Sequence, residues 1–330
     1  MILVTGGAGF IGSHMAKLLR LRGLEHVVLD NLSGGHRDAC GGSTLVEGDV
    51  ESREEMRSLF QRIQASAVIH FAARINVGES MTAPLPYYRT NLIGSANLVE
   101  AAIKAGVRSF VFSSTAAVYG TPKRTPIRET ASKRPINVYG ETKLSVERML
   151  QSVSRAHGLR VACLRYFNAA GADPDGELGE DHRPETHLIP LAIDAALGRR
   201  EPLTVFGDDY DTPDGTCIRD YVHVGDLCDA HLLALDALNA ADGGHFRAYN
   251  VGTGVGHSVR EVLDTVGEVV GAEVPHAVGA RRAGDPPVLV ASNERIVKEL
   301  GWRPQFGDLR AMVSHALAWR SRHPDGYGES

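Results

Sequence analysis

Two periods of hydrophobicity alternate along the first half of the chain. Short apolar runs read as strands: Ile2-Leu3-Val4, His26-Val27-Val28-Leu29, Thr44-Leu45-Val46, Ala67-Val68-Ile69-His70-Phe71, Ser109-Phe110-Val111-Phe112-Ser113 and Arg160-Val161-Ala162-Cys163-Leu164-Arg165. Between them lie amphipathic stretches with helical spacing, at Phe10 to Arg22, Glu51 to Arg62, about Pro86 to Ala105, and Val138 to His157. Strands this continuous in apolar residues are covered on both faces, as in parallel sheets. Their alternation with helices predicts a doubly wound α/β fold.

The texture changes after Ala170. Residues 171–186 (GADPDGELGEDHRPET) are acidic, rich in Gly and Pro and almost free of apolar side chains, so they read as a loop. A helix near Leu188 to Leu197 follows, then the strand Leu203-Thr204-Val205-Phe206 and the acidic turn GDDYDTPDGT. Another strand and helix precede the strand Ala248-Tyr249-Asn250-Val251. The elements no longer alternate cleanly, which predicts a first domain over 1–170 and a smaller capping domain mainly over 171–330. Elements near 220–252 are expected to return to the first domain. No internal repeat or low-complexity tract is evident.

Composition narrows the class. Of 330 residues, 43% are hydrophobic and 23% charged, enough to bury a full core. With 35 Lys+Arg against 40 Asp+Glu the net charge is −5, which argues against nucleic-acid and anionic-membrane partners. Cys40, Cys163, Cys217 and Cys228 form neither a disulfide framework nor a CxxC pair, so a reducing cytoplasm is expected. Met1 leads straight into an apolar strand with no signal peptide, and no run is long enough to span a membrane.

Chemistry enters at the first turn. Residues 2–12 read ILVTGGAGFIG, in which Gly7-x-Gly9-x-x-Gly12 matches a dinucleotide fingerprint and Gly6, Gly9 and Gly12 give the related GxxGxxG spacing. Glycines there permit a tight turn, close approach of a pyrophosphate and close helix–strand packing, with the pyrophosphate at the positive helix N-terminus. The loop follows an apolar strand and opens a helix, and Asp30 ends the next strand 18 residues past Gly12. This is the context of a Rossmann fold. Asp30 would accept the adenosine ribose hydroxyls and repel a 2′-phosphate, favouring NAD over NADP.

A second constellation is Tyr139-Gly140-Glu141-Thr142-Lys143, which sets a phenol and an ammonium one helical turn apart on one face. Tyrosine, with a pKa of about 10, is a poor base near neutrality until a neighbouring cation favours phenolate. A phenolate there could remove a hydroxyl proton while the carbon beneath gives its hydride to the cofactor. Phe112-Ser113-Ser114-Thr115 ends a buried strand at the sheet's carboxyl edge, where α/β ligands bind, and Thr115 could hold a substrate hydroxyl in line.

With these motifs in place the sequence closely resembles, nearly end to end, the extended short-chain dehydrogenase/reductases, and within them the UDP-glucose 4-epimerases. The resemblance rests on TGGAGFIGSH (5–14), VVLDNLS (27–33), EGDV (47–50), VIHFAA (68–73), VGES (77–80), FSSTAAVYG (112–120), YGETK (139–143), LRYFNAAGA (164–172), VFGDDYDTPDGTCIRDYVHVGDL (205–227), YNVGTG (249–254), RRAGD (281–285) and ELGW (299–302). It implies an enzyme that keeps NAD bound. Tyr139 would deprotonate the sugar 4-hydroxyl while hydride leaves C4, and the 4-keto sugar would rotate and take the hydride back on its other face. Lys143 would bind the nicotinamide ribose and lower the pKa of Tyr139, and Thr115 stands where many relatives carry a catalytic Ser.

The resemblance also assigns NAD contacts to Gly6, Gly9, Phe10, Ile11, Gly12, Asp30, Asn31, Asp49, Val50, Phe71, Ala72, Ala73, Asn91, Lys143 and Tyr166. Ile75, beside Arg74, replaces a Lys found in many members. Phe167, Asn168, Leu188, Phe206, Tyr221 and Asp285 match positions that contact uridine, phosphate or ribose in relatives. Arg219 and Arg282 are the expected diphosphate clamps, since guanidinium forks suit phosphate oxygens. Either could instead be a surface ion pair, with Asp220 and Asp285 nearby.

Other readings are weaker. Dehydratase and decarboxylase cousins carry an acid just ahead of the VYG segment, where this chain has Ala116 and Ala117. A non-catalytic NAD-binding sensor would typically have lost Tyr139 or Lys143. Asp209-x-Asp211-x-x-Asp214-Gly215 imitates a calcium loop, but its glycine falls one place late and no Glu closes it. No metal is expected, and His182 and His187, lacking the company of a zinc site, are read as loop and uridine-side residues. In the family the residue four places after the Asp of RRAGD gates the sugar pocket; here the resemblance puts Leu289 there, intermediate in volume, so UDP-N-acetylglucosamine is an alternative to UDP-glucose and UDP-galactose. UDP-glucuronate is another, with Arg74 and Arg183 as candidate partners for its carboxylate. Relatives usually dimerise through helices corresponding to 86–105 and 138–157. A homodimer is therefore expected, with Leu92, Leu98, Val99, Leu144 and Leu150 facing either the partner or the sheet.

Overall fold

The apolar runs pair in parallel. In the computed structural model, which describes residues 1–282 and 285–328, strands β1 (Ile2–Thr5), β2 (His26–Asp30), β3 (Leu45–Glu47), β4 (Ala67–His70), β5 (Ser109–Thr115) and β6 (Arg160–Tyr166) lie in the order β6-β5-β4-β1-β2-β3. The chain then leaves the sheet through β7 (Asn168–Ala170), β8 (Leu203–Phe206) and β9 (Ile218–His223) before β10 (Phe246–Val251) returns to pair with β6. The helix Val224–Ala240 packs on β5 and β6. A second sheet surrounds β9, which pairs with β7, with β11 (Gly256–Ser258) and, after β12 (His276–Gly279) has joined β8, with β13 (Val288–Leu289).

Strand alternation builds the core on both faces of the main sheet. Leu3, Val68, Phe110 and Phe112 face the helices Arg53–Arg62, Ser95–Lys104 and Val138–His157 through Met56, Leu59, Leu98, Val99, Val146 and Leu150. Val4, Ile69, Val111 and Leu164 face Met15, Leu19, Leu227, Leu235 and Trp302 on the other side. Burial of each such side chain contributes about 1.5–3 kcal/mol.

The expected single helix over 86–105 is interrupted. Pro84–Tyr87 is α-helical, Tyr88–Gly94 is a π-helix, and Ser95–Lys104 resumes the α form. Asn91 lies within the wide turn, and its amide exchanges hydrogen bonds with the backbone N–H and C=O of Arg74 and reaches Thr142 Oγ1. π-Turns of this kind cluster at functional sites.

The residues considered for a dimer surface face inward. Leu98, Val99, Leu144 and Leu150 are at most 2% exposed, and Leu92 packs half-buried against the same core. The exposed apolar residues in this region are Val77, Met81, Leu85 and Ile93. Among the described residues no helix is long and apolar enough to cross a membrane.

Candidate active site

Strand order reverses between β1 and β4, the switch point whose carboxyl-end crevice is where doubly wound sheets bind ligands. Gly6 follows β1 there and Phe71 and Ala72 follow β4, whose amides both donate to Thr5 O. The glycines are required by contact. A Cβ on Gly6, whose φ is +69°, would stand 2.5 Å from Ala72 N, and one on Gly12 would stand 2.1 Å from Gly6 O. Gly9 precedes helix Phe10–Leu21, which has no side-chain cap and no acid in its first turn. Its leading N–H groups therefore face the crevice mouth without a competing anion, the arrangement a pyrophosphate needs.

Asp30 closes this loop from the next strand. Its Oδ2 accepts the amide of Ala8 at 2.9 Å and its Oδ1 that of Leu32 at 2.8 Å. Burial raises its pKa, and those backbone donors oppose the rise. Asn31 donates to Asp49 at 2.9 Å, and Val50 lies buried against Gly94 of the π-turn. Ile11, Ala72 and Phe71 are half-buried on the core beneath, with the Phe71 ring 4.8 Å from that of His231. Ala73 is half-buried beyond β4. The Tyr166 hydroxyl is engaged with His231 Nε2 at 2.5 Å, inside the core. Loop residues Arg74 and Ile75 are exposed.

The helix Val138–His157 brings Tyr139 and Lys143 to the same crevice. Asn137 caps it by accepting from Gly140 N at 2.8 Å, and Gly158, at φ +72°, ends it. Tyr139 N donates to Ser80 Oγ. A Cβ on Gly140 would stand 2.7 Å from Ala117 O, so glycine lets the helix press on the turn Ala116–Tyr119 that follows Thr115. Thr115 Oγ1 caps that turn through Ala117 N at 3.1 Å. Burial pushes the Tyr139 phenol up to about 12, against which a hydrogen bond with Thr115 favours phenolate. Lys143, pushed down to about 7 by burial, donates to Ser113 O at 2.9 Å and lies 4.9 Å from the Phe112 ring centre.

The second sheet carries the remaining expected site residues. Asn168 on β7 pairs with Tyr221 on β9, and Arg219 on β9 pairs with Leu289 on β13. Arg219 forms a salt bridge with Asp285. Arg282 lies over the Phe206 ring with Cζ 4.1 Å from its centre. Asp220 is not their partner, since its carboxylate accepts from Thr253, Gly254 and Ala291 and holds three backbone segments together. Phe167 and Leu289 pack on the cluster of Ala116 and Val118, next to Thr115. Leu188 opens the helix Leu188–Ala196, half-buried. Ala283 and Gly284 of the RRAGD segment lie outside the described residues.

The calcium-like carboxylates diverge, with Asp209 paired to Arg281 and Asp214 bound to Thr216 and Ser258. Two expectations change, those for Arg74 and Arg183 and for His182 and His187. Arg183 donates to the carbonyls of Asp325 and Gly328, and Arg74 stands 3.9 Å from Glu79, so both have partners other than a sugar carboxylate. His182 and His187, which seemed to lack company, stand beside Glu180 and Glu185, and the four form a set able to hold a metal ion. Their spacing, E-x-H-x-x-E-x-H, was visible in the sequence. The turn that brings the four together was not, because no helical or strand period produces it. Burial lowers His182, but the carboxylates of Glu180 and Glu185 beside it outweigh that and carry the ring up to about 9.

Residues 2–252 match the model of the NAD dependent epimerase/dehydratase family. The chain is 48% identical to a UDP-glucose 4-epimerase of Halalkalibacterium halodurans over 99% of this chain and 97% of the relative. It is similar to the crystal structure of UDP-glucose 4-epimerase from Brucella ovis in complex with NAD, at a TM-score of 0.92 and 50% identity over 96% of this chain and 97% of that one. Similarity extends to the enzyme from Bifidobacterium longum in complex with NAD+ and UDP, at a TM-score of 0.94 and 36% identity over 99% of both chains.

Proposed function

Because the chain belongs to the NAD dependent epimerase/dehydratase family, among its UDP-glucose 4-epimerases, we propose that it reversibly inverts C4 of a UDP-hexose, UDP-glucose and UDP-galactose foremost, with NAD held in the crevice over β1 and β4. The observation that carries this reading is the joint placement of Tyr139 and Thr115 at the carboxyl end of β5, beside a loop in which Gly6 and Gly12 leave no room for a Cβ.

The first domain, residues 1–170 with the returning elements near 220–252, is the cofactor half. The glycine loop and the uncapped start of helix Phe10–Leu21 fit the pyrophosphate, and Asp30 with Asn31 stands where the adenosine ribose would lie. Lys143, Asn91 and the segment Phe71–Ala73 line the inner part of the same crevice. Bound NAD supplies a reversible hydride acceptor whose oxidised ring adds the positive charge that favours phenolate. Tyr139 Oη takes the proton of the 4-hydroxyl, and Thr115 Oγ1 holds that oxygen in line. The same phenol returns the proton after the sugar has presented its other face.

That rotation requires a firmly held nucleotide diphosphate and a loosely held hexose. Arg219 and Arg282 grip the diphosphate, and Phe206, Tyr221, Asn168, Phe167, Leu188 and Asp285 surround the nucleotide. Ala116 and Ala117 offer no acid for elimination, which favours epimerisation over dehydration. The engagement of Arg74 and Arg183 elsewhere favours a neutral hexose over a uronate.

A homodimer in the cytoplasm completes the reading. The four cysteines are free and buried, as suits a reducing compartment, and Val77, Met81, Leu85 and Ile93 supply an exposed apolar row beside helix Val138–His157. The test is a competition. Purified protein without added cofactor receives equal UDP-glucose, UDP-N-acetylglucosamine and UDP-glucuronate, and each C4 epimer is quantified by chromatography. UDP-galactose is expected to appear fastest, and no epimer at all, even with NAD+ supplied, overturns the proposal.

A further inference from the structure

The acidic loop before helix Leu188–Ala196 holds Glu180, His182, Glu185 and His187, which the proposed reaction does not use. One ligand atom from each lies within 4.8 Å of the other three. His182 Nδ1 stands 3.1 Å from Glu180 Oε1 and 3.6 Å from Glu185 Oε2. His187 Nδ1 stands 2.5 Å from Glu180 Oε1 and 3.3 Å from Glu185 Oε1. Four ligands at about 2.0–2.1 Å from a tetrahedral ion are separated by about 3.3 Å, close to three of these four contacts.

The contacts do not work as hydrogen bonds. His182 Nδ1, His187 Nδ1 and Glu185 Oε2 are shielded from solvent, yet none has a hydrogen-bond partner despite the short separations. Glu185 Oε1 meanwhile accepts the amides of Thr186 and His187 at 2.7 and 2.8 Å, which fixes the carboxylate and leaves Oε2 over. Buried polar atoms without partners are costly and call for an explanation. Close atoms whose directions serve no neighbour are what one shared central ion requires.

We infer that Glu180, His182, Glu185 and His187 bind one divalent ion of the zinc class. Two imidazole nitrogens with two carboxylate oxygens suit zinc, whereas calcium and magnesium prefer all-oxygen sets. Four protein ligands complete a tetrahedron, so the ion is structural. Its place in the fold gives it a task. The His182 ring meets that of Phe10 edge-on at 6.5 Å, at the glycine loop. Asp181 binds His36 and the amide of Tyr327, and His187 immediately precedes the helix that Leu188 opens. The ion pins the connecting loop between the dinucleotide loop and the second domain.

The test uses the full chain purified without a polyhistidine tag, stripped with chelator and titrated with Co2+. Expected are about one Co2+ per chain with the intense visible bands of tetrahedral coordination, displacement of those bands by Zn2+, and a rise of several degrees in Tm on adding Zn2+. Glu185→Gln and His187→Gln should each lose the bands and the shift while keeping the far-ultraviolet spectrum. If those variants fail to fold, X-ray absorption of the zinc-loaded wild type decides, with two nitrogen-type imidazole and two oxygen neighbours expected. No tetrahedral Co2+ spectrum and no zinc-dependent Tm shift in the wild type overturns the inference, as does full retention of both by the two variants.

Discussion

Lys143 donates its ammonium to the carbonyl of Ser113 at 2.9 Å and stands 5.9 Å from the ring centre of Tyr139, one helical turn earlier. The pair suggested by the spacing is thus tied to β5 and not to each other. Burial leaves the phenol near 12 and the ammonium near 7, so it is Thr115 that lies in position to favour phenolate within the chain itself. Tyr139→Phe removes the only hydroxyl proposed to move the proton. Turnover of UDP-galactose is expected to fall by about 10²–10⁴-fold, the worth of a positioned acid–base group, while UDP binding measured by calorimetry is unchanged. Full turnover in this variant would remove Tyr139 as the base.

Thr115 separates two roles of one hydroxyl. Thr115→Ser keeps the oxygen that caps Ala117 N and is expected to retain most of the activity. Thr115→Val keeps the shape, loses both hydrogen bonds, and should lose more than tenfold in kcat with a smaller change in KM. Equal activity in the two variants would show that the methyl-bearing shape matters and the oxygen does not.

The glycine loop gives a steric prediction. A Cβ at residue 12 meets Gly6 O at 2.1 Å and Gly7 Cα at 2.7 Å, all backbone, so nothing can swing aside. Gly12→Ala should therefore purify with far less bound NAD, read from absorbance and mass spectrometry of the denatured protein. Asp30→Ala keeps the fold less tightly at Ala8 and Leu32 and should narrow the preference for NAD over NADP. Tight NADP binding by the unaltered chain would contradict the role given to Asp30.

What the sequence made legible follows from range. Helix Val138–His157 carries its own signals, Asn137 before it and Gly158 after it, and occupies the expected residues. The strands of the main sheet were equally readable, being apolar on both faces. The break at Tyr88–Gly94 was not, because the π-turn depends on Asn91 reaching Arg74 and Thr142 through contacts between segments. The direction of Leu98, Val99, Leu144 and Leu150 was open for a related reason: helical spacing gives a face but not its neighbour. Asp220, read as a companion of Arg219, turned out to bind backbone at 253, 254 and 291, which no local pattern announces.

One such long-range network predicts a stability effect. Arg165 is forked onto Glu147 at 2.9 and 2.6 Å and donates to Tyr119 Oη at 2.8 Å, and Ser114 Oγ donates to the same carboxylate. All four side chains are buried behind the strand that ends at Thr115. Arg165→Met leaves Glu147 as an unpaired buried charge and should cost about 3–5 kcal/mol in urea unfolding. Adding Glu147→Leu removes the stranded charge, so the double variant should be more stable than the single one. A single variant within 1 kcal/mol of wild type would show that water reaches Glu147.

Acid should unfold the protein before its carboxylates titrate. Burial lowers His231 from 6.5 to about 4 and His70 from 6.5 to about 3. Their ring nitrogens are already occupied, His231 by Tyr166 Oη and Leu227 O and His70 by Thr5 Oγ1 and Ser95 Oγ. Burial likewise lowers His14 to about 4 and His223 to about 3. Below pH 6.5 the unfolded chain binds these protons and the folded one does not, so the contribution of these rings is full above 6.5 and falls as pH drops toward 4. In the metal-free protein His182, held up to about 9, keeps its full contribution throughout that window, because below 6.5 it is protonated in both states, and loses it only as pH rises toward 9. Tm is therefore expected to fall steadily from pH 6.5 to 5, with net proton uptake on unfolding measured by calorimetry in buffers of different ionisation enthalpy. His231→Gln should be less stable at pH 7, having lost the fit to Tyr166, yet should lose less between pH 6.5 and 5 than the wild type does. A Tm that stays level across that interval would mean that these rings take up their protons in the folded state.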